Sequence, residues 1–334
     1  MTDFDISALE RYLTLTIDGF YGPIRLERIS GGQSNPTYFV TSGSDRFVLR
    51  KQPPGPLLPS AHAIDREYRV LTALKETGVP VPPTVLYCED AGIIGTPFYL
   101  MERLDGRVFH DTALPGVPPA ERASMYRSMA ETLARLHNVD PRAIGLSDFG
   151  RHEGYFARQI SRWSRQWQTA RTREDAHIEA LIDWLPGHIP ADETLAIVHG
   201  DFRIGNLMFH QTEPRVIAIL DWELSTLGHP LADLAHVLMA WESRPEEYGG
   251  ITGLDLATMG IPEAHTFEET YYNVASHTQR LTAFHRAFAM FRWSLIFEGI
   301  AFRARSGSAA GANAGTVGLL AEIFAKKAFE HSRT

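Results

Sequence analysis

The sequence predicts an α+β chain, on three observations. Short runs that alternate apolar with polar residues, or are rich in β-branched ones, crowd the first hundred residues. Stretches with apolar residues three and four apart dominate beyond about residue 120. A strand-like segment at 197–224 interrupts those helical patterns and carries acids at its loop ends. Strands grouped ahead of helices, not alternating with them, mark α+β architecture. At 334 residues the chain is long enough for two units with separate cores.

Composition narrows the function classes. Hydrophobic content of 44% and charged content of 22% are ordinary proportions for a globular chain. The net charge of −8 offers no basic excess to neutralise phosphates, which argues against nucleic acid as the main partner. Cys88 is the one cysteine, so no intrachain disulfide can form, and a reducing, cytoplasmic setting is expected. The opening Met-Thr-Asp-Phe-Asp is not a basic-then-apolar leader. No apolar run reaches bilayer-spanning length, so no membrane role is expected. Ser306 to Gly315, rich in Gly, Ala and Ser, is the nearest thing to a flexible segment.

Taken in order, Ile6, Leu9, Leu13 and Ile17 have helical spacing, with Asp5 placed to cap the helix. Residues 24–29 alternate as a strand does. A Gly/Ser-rich turn, Ser30 to Thr37, precedes strands at Tyr38–Val40 and Phe47–Leu49. On the second of these, Val48 and Arg50 share one face, Leu49 and Lys51 the other. A Pro/Gly loop follows, then a helix over Ala63–Lys75 with Tyr68, Leu71 and Leu74 on one face. Strands at Val85–Cys88 and Pro97–Met101 complete the β-rich part, and Glu102 to Gly106 breaks the pattern.

Helices are then expected over Ala120–Leu136, Tyr155–Arg171, Ala176–Trp184 and Ala232–Trp241, with three more over Phe267–His277, Arg280–Arg305 and about Val317–His331. Residues Ala287 to Phe297 are apolar nearly all round, which marks a core helix. Arg158, Arg162 and Arg165, near Trp163 and Trp167, read as a solvated stripe beside core tryptophans, or as a ligand-binding face.

The chemical centre is the segment at 197–224. Ile197-Val198 and Leu207-Met208-Phe209 bracket a loop carrying Asp201 and Asn206, and the β-branched run Val216 to Leu220 ends in Asp221. An acid at the mouth of a buried strand is costly unless something pairs with it. Two acids and an amide at strand ends suit magnesium, a hard ion that takes oxygen ligands. The plainer alternative is two unrelated surface acids and a turn Asn.

Spacing and wording then point to a family. Asn206 follows Asp201 by five residues, as in the protein-kinase catalytic loop, and Asp221 falls where the metal-binding Asp of the next strand would. The His-Gly-Asp loop with Asp-Trp-Glu downstream resembles the aminoglycoside phosphotransferase and choline-kinase-like branch. Gly-Gly-Gln-Ser-Asn-Pro-Thr resembles the kinase-like domains fused to acyl-CoA dehydrogenases.

That resemblance implies a protein-kinase-like bilobal fold. A small β-rich nucleotide-binding lobe would span 1–103, and a larger, mainly helical catalytic and substrate-binding lobe 104–334, with ATP enclosed between them. Asp201 would orient and deprotonate an acceptor hydroxyl, and Asn206 and Asp221 would hold Mg2+ on the ATP phosphates. Gly31, Gly32, Gln33, Ser34 and Asn35 would belong to the loop covering the nucleotide. Arg50 would hold the phosphates in place of the usual Lys, paired with Glu67; Lys51 takes that role if the register differs by one. Glu102 and Arg103 stand, by position, at the adenine edge. Asp233 would brace the catalytic loop through its backbone, or serve simply as a helix-start acid. His199 would stabilise the same loop, since no histidine pair has tight metal-ligand spacing.

Two departures from the kinase pattern stand out. Glu223 replaces the usual Gly after the aromatic that follows the metal-binding Asp, although this branch commonly lacks that Gly. No recognisable activation segment separates Asp221 from Asp233, which argues against a protein substrate. The expected function is Mg2+-ATP-dependent phosphoryl transfer to a hydroxyl of a small molecule, and the subgroup suggests a hydroxyacyl-CoA. The alternative is a catalytically silent nucleotide-binding or scaffolding module, which the Arg50 replacement favours and the intact Asp201, Asn206 and Asp221 set disfavours.

Overall fold

In the computed structural model, which describes residues 3–29, 35–55, 62–305 and 318–334, the elements fall into two compact units. The first is Met1–Gly106 with Ile217–Glu223, the second Arg107–Val216 with Leu224–Thr334.

The first unit opens with α1 (Ile6–Thr16), whose N-cap Asp5 accepts the Ser7 N–H at 2.8 Å. Then come β1 (Arg25–Arg28), β2 (Thr37–Ser42), β3 (Asp45–Lys51), α2 (Ile64–Leu74), β4 (Thr84–Cys88), the single-turn α3 (Ala91–Ile94) and β5 (Phe98–Glu102). The strands form an antiparallel sheet in the order β1-β2-β3-β5-β4. Leu9 and Leu13 of α1 join Tyr38, Val40, Leu49, Phe98 and Leu100 in one core.

Alternation along β3 has a sharp consequence. Lys51, on the Leu49 face, is 1% exposed, and its Nζ meets the Asp3 carboxylate at 2.6 Å. The ammonium also stands 5.4 Å from the Phe4 ring centroid, and Asp3 accepts the Tyr38 hydroxyl at 3.2 Å. The Lys51 ammonium is therefore committed to the N-terminal segment. An ammonium taken out of water needs its partner. Asp3→Ala is expected to lower stability by ~1–3 kcal/mol, read as a lower urea midpoint at unchanged slope.

The second unit is mainly helical. Its helices are α4 (Pro119–His137), α5 (Tyr155–Ala170), α6 (Ala176–Trp184), α7 (Pro230–Glu242), the single-turn α8 (Leu256–Met259), α9 (Ala264–Tyr272), α10 (Ala283–Arg305) and α11 (Leu320–His331). Short strands β6 (Arg107–Val108) and β8 (Leu207–Phe209) pair antiparallel, as do β7 (Ala196–Val198) and β10 (Thr226–Gly228). The remaining strand, β9 (Val216–Ile219), has all but its first residue in the first unit and leads to Asp221 there. Buried residues recur on every side of α10, as its apolar sequence predicts, and Phe288, Phe291 and Phe297 share a core with Trp163, Trp167 and Phe324. On α5 the two tryptophans are buried while Arg162 and Arg165 are exposed, so the solvated-stripe reading fits. Among the described residues, no helix is long and apolar enough to cross a membrane.

Two boundaries differ from the sequence periodicity. The helix expected to reach His277 ends at Tyr272, and the next starts at Ala283 instead of Arg280. The reason at α10 is a capping arrangement: His285 Nδ1 lies 3.1 Å from the Thr282 N–H, which it accepts, and 2.9 Å from Thr282 Oγ1. Burial pushes His285 down from 6.5 to about 3. Its folded value lies below its unfolded one, so the unfolded chain binds the extra proton and stability falls as pH drops from about 6.5 towards 3. His285→Gln keeps a capping acceptor and removes this titration. The variant is expected to match the parent near pH 7.5 and to lose less stability on acidification to about pH 5, read by urea unfolding at both pH values. His229 and His277 shift in the same direction, so some loss persists.

Candidate functional site

In the first unit, the Val48 face of β3 carries Arg50 towards α2. Arg50 Nε lies 2.9 Å from Glu67 Oε2, and Nη2 lies 3.1 Å from Asp221 Oδ1. Glu67 is 2% exposed, yet fully engaged. It also accepts Asn35 Nδ2 at 2.6 Å and the Tyr99 hydroxyl at 3.0 Å. Burial alone opposes a charge on Arg50, but Glu67, Tyr99 and Asp221 outweigh it and raise its pKa further. Burial, with Glu67 beside it, pushes the Tyr99 hydroxyl well above its ordinary range.

Asp221 follows β9 with φ 64°, a left-handed conformation that non-glycine residues disfavour. Its surroundings hold it there. Ile219 N–H donates to Pro80 O at 2.9 Å, and the buried Trp222 ring donates to Ile219 O at 2.9 Å. Strained residues of this kind concentrate where a side chain must be aimed.

Of the expected phosphate-covering residues, Gly31, Gly32, Gln33 and Ser34 lie outside the described residues. Asn35 is buried, and its amide serves Glu67 on one side and His62 Nδ1, at 3.0 Å, on the other. It therefore supports the Arg50–Glu67 pair. Glu102 ends β5, where its N–H donates to Pro83 O at 2.8 Å, and the Arg103 N–H donates to Arg46 O at 3.0 Å. The Arg103 guanidinium lies 3.7 Å from the Phe39 ring centroid. Both main-chain donors are thus occupied, and among the described residues the next N–H, that of Leu104, meets no acceptor.

In the second unit, β7 runs into His199-Gly200-Asp201. Gly200 has φ 84°, and a Cβ there would lie 2.8 Å from Leu224 O, so only glycine fits. Asp233, in the first turn of α7, accepts the N–H of His199 at 2.6 Å and of Gly200 at 2.9 Å. Behind it lies His137 Nε2 at 3.4 Å, and His137 Nδ1 is 2.7 Å from the Tyr271 hydroxyl. Burial works against the Asp233 charge, but His137, His199 and the Gly200 N–H outweigh it and lower its pKa. Arg292 Nη2 donates to Gly200 O at 2.8 Å, and His199 Nδ1 accepts the Asp201 N–H at 3.2 Å.

The loop so braced presents Asp201. Its Oδ2 accepts Asn206 Nδ2 at 2.8 Å and lies 3.4 Å from Arg203 Nε. Asn206 Nδ2 also bonds Asp201 O at 2.8 Å, which leaves the amide oxygen to offer a ligand. His236 Nε2 approaches Asp201 Oδ1 at 3.3 Å. Burial would raise the Asp201 pKa, but His236, Arg203 and His199 hold the carboxyl well below the usual carboxylate range. The group is ionised at neutral pH and 18% exposed, so an acceptor can reach it.

Sequence reasoning missed His236, Asn35 and Tyr99 as partners of the central carboxylates. Only His236 carried a signal, one helical turn beyond Asp233. Beside Asp201 the second unit holds a pocket lined by Arg203, Ile204, His236, Met239, Trp241 and Tyr248, among others. Among the described residues on its walls the one carboxylate, Glu247, is paired with Lys327. The Tyr126 hydroxyl is spent on Thr112 O and the Trp241 N–H on Pro262 O, so mostly apolar surface faces the space.

The amide oxygen of Asn206 and the carboxylate of Asp221 are each hard oxygen donors of the kind Mg2+ takes. The two residues belong to different units of the chain.

The chain is 42% identical over 328 residues to acyl-CoA dehydrogenase family member 10 of Mus musculus, covering 97% of this chain and 31% of that protein. It is 50% identical over 238 residues to acyl-CoA dehydrogenase family member 11 of Gallus gallus, covering 70% of this chain and 30% of that protein. The chain thus spans about a third of these relatives, their kinase-like region. A crystal structure of a candidate aminoglycoside phosphotransferase from Ralstonia eutropha is 42% identical, covers 99% of this chain and 98% of that one, and superposes with a TM-score of 0.91. A thermostable mutant of aminoglycoside phosphotransferase APH(4)-Ia, in complex with AMP-PNP and hygromycin B, shares the fold at 17% identity and a TM-score of 0.64, covering 97% of this chain and 98% of that one. The architecture is the aminoglycoside-phosphotransferase-like kinase fold, with an N-terminal antiparallel sheet and a mainly helical C-terminal part. Residues 25–259, which include Arg50, Glu67, Asp201, Asn206 and Asp221, match the Phosphotransferase enzyme family, and the chain belongs to that family.

Proposed function

We propose that the chain is an Mg2+-ATP-dependent small-molecule kinase that moves the γ-phosphoryl group of ATP onto an acceptor hydroxyl. The observation that carries this reading is Asp201, ionised, held at Oδ2 by Asn206 and Arg203, with Oδ1 making no hydrogen bond among the described residues and the group open to an acceptor. In the proposed reaction the acceptor oxygen attacks the γ-phosphorus, the bond to the ADP oxygen breaks, and the hydroxyl proton passes to Asp201. Such transfer depends on positioning and charge neutralisation, with little covalent work by the protein. Arg50, held charged by Glu67, would bind phosphate oxygens. Asn206 and Asp221 would hold Mg2+, whose contribution is to neutralise charge on the phosphates.

For the acceptor we propose a hydroxyacyl thioester such as a hydroxyacyl-CoA. Two facts support it: the kinship with acyl-CoA dehydrogenase family members, and the apolar pocket beside Asp201 whose one acid is already paired. A polycationic sugar would find no unpaired carboxylate among the described residues of those walls. ATP consumption with Mg2+ across hydroxyacyl-CoAs, amino alcohols and aminoglycosides tests this, with turnover expected for the hydroxyacyl-CoAs. Silence there, with an aminoglycoside or amino alcohol accepted, would overturn the choice of acceptor.

A further inference from the structure

Tyr248 stands in the loop between α7 and α8 with φ 66°, in the left-handed region, where a bulky side chain is rare and costly. Such strain persists only where the surroundings over-determine the backbone. Here they do. The N–H of Gly250 donates to Arg244 O at 3.1 Å and that of Thr252 to Ser243 O at 2.8 Å, and a Cβ at Gly250 would collide with Ser243 O. Glu247 accepts the Arg244 N–H at 3.0 Å and the Lys327 ammonium of α11, which also donates to Glu242 O at 2.8 Å. What this bracing aims is a ring. The Tyr248 centroid lies 4.5 Å from that of Trp293 and 5.2 Å from that of Phe297, both on α10, so the ring is backed by aromatic packing. Yet Tyr248 stays 41% exposed, and it lines the pocket beside Asp201. The Arg203 guanidinium, whose Nε is 3.4 Å from Asp201 Oδ2, stands 5.9 Å from the same ring centroid.

Resting on the acceptor reading above, we propose that Tyr248 is the specificity-determining residue of the acceptor site, its ring forming the wall against which the apolar chain next to the acceptor hydroxyl lies. A rigid aromatic ring gives an alkyl chain broad contact area and loses little side-chain freedom in doing so. Strain held in the backbone here has a use: it presents the ring to the pocket instead of letting the loop relax away from it. An aromatic face can also take a quaternary ammonium. At this ring, however, Arg203 already stands close, and a second cation would meet its charge. The arrangement therefore favours a neutral, apolar chain over an amino alcohol.

Binding and turnover of hydroxyacyl-CoAs of rising chain length, with the hydroxyl at one position, test this. Calorimetry without ATP should give the parent a Kd that tightens by about two- to fourfold for each added CH2 that reaches the wall. Tyr248→Asn has no ring, and its side chain tolerates the left-handed backbone. In that variant the gradient should flatten and the KM for the longest acceptor should rise at least about tenfold, with the KM for ATP unchanged. Tyr248→Phe keeps the ring and should keep the parental gradient. A merely structural role would shift the urea midpoint but leave the discrimination among chain lengths as it is in the parent. A parental gradient in Tyr248→Asn would overturn the proposal, as would a parent that binds no hydroxyacyl-CoA or binds them all alike. Loss of the gradient in Tyr248→Phe would move recognition to the hydroxyl and overturn the wall. The kinase reading fails on a separate result, transfer from ATP to no acceptor at all, and a binding gradient lost in Tyr248→Asn would still uphold Tyr248.

Discussion

Asp201→Asn is expected to lower kcat by about 10²–10⁴-fold while leaving Mg2+-ATP binding measurable by calorimetry. The amide is close in size and can keep one hydrogen bond to Asn206, but it cannot take the acceptor proton and carries no charge. Binding of ATP draws on other residues in this account, so KM for ATP should change little, the signature of an interaction made mainly in the transition state. The pH dependence follows from the low pKa of Asp201. A depressed value keeps the carboxylate ionised well below the range of an ordinary Asp, so its protonation should not lower turnover between pH 7 and about 5. An Asp201→Asn variant at parental kcat would remove Asp201 from the chemistry.

Asp233→Ala should be among the most destabilising single changes in the second unit, at ~3–5 kcal/mol by urea unfolding. The carboxylate is 1% exposed and satisfies two consecutive main-chain N–H groups at His199 and Gly200. Its removal strands both donors and His137 in a dry site, and a buried donor left unmade costs more than an average hydrogen bond yields. The same loop carries Asp201, so kcat should fall together with stability. The sign with pH is fixed by the lowered pKa. The contribution of Asp233 is complete above its unfolded value of about 4 and is lost as pH falls through the lower folded value. Asp233→Asn keeps one acceptor oxygen and should fall between the parent and Asp233→Ala. Parental stability in Asp233→Ala would show that the loop is held by other contacts.

What was legible in the sequence was local or periodic. The α1 cap at Asp5, the strands of the first unit and the apolar α10 follow from spacing alone. Alternation by two residues separated Arg50 from Lys51, and the structure turns them to Glu67 and Asp3 respectively. Bracing by Asp233 came from resemblance, since nothing local to an acid in the first turn of a helix says which backbone it meets. The partners of Glu67 were out of reach for another reason. Asn35 and Tyr99 each lie 32 residues away in the chain, on opposite sides of it, and only the folded sheet brings them together. His236 and Trp293 are 57 residues apart on different helices, and a histidine on an apolar helix gives no hint of the indole it meets. The end of α9 and the single-turn α3 and α8 were hidden because one turn is too short for periodicity to register.

The most direct measurement is transfer of labelled γ-phosphate from ATP to a hydroxyacyl-CoA in the presence of Mg2+. The parent would run beside Asp201→Asn and Asp221→Ala. The account predicts label in the acceptor with the parent, almost none with Asp201→Asn, and loss of Mg2+-dependent nucleotide binding as well with Asp221→Ala. Tight Mg2+-ATP binding by the parent, with label transferred neither to any hydroxylated acceptor nor to water, would contradict it. The chain would then be a nucleotide-binding module in which Arg50 marks the loss of catalysis.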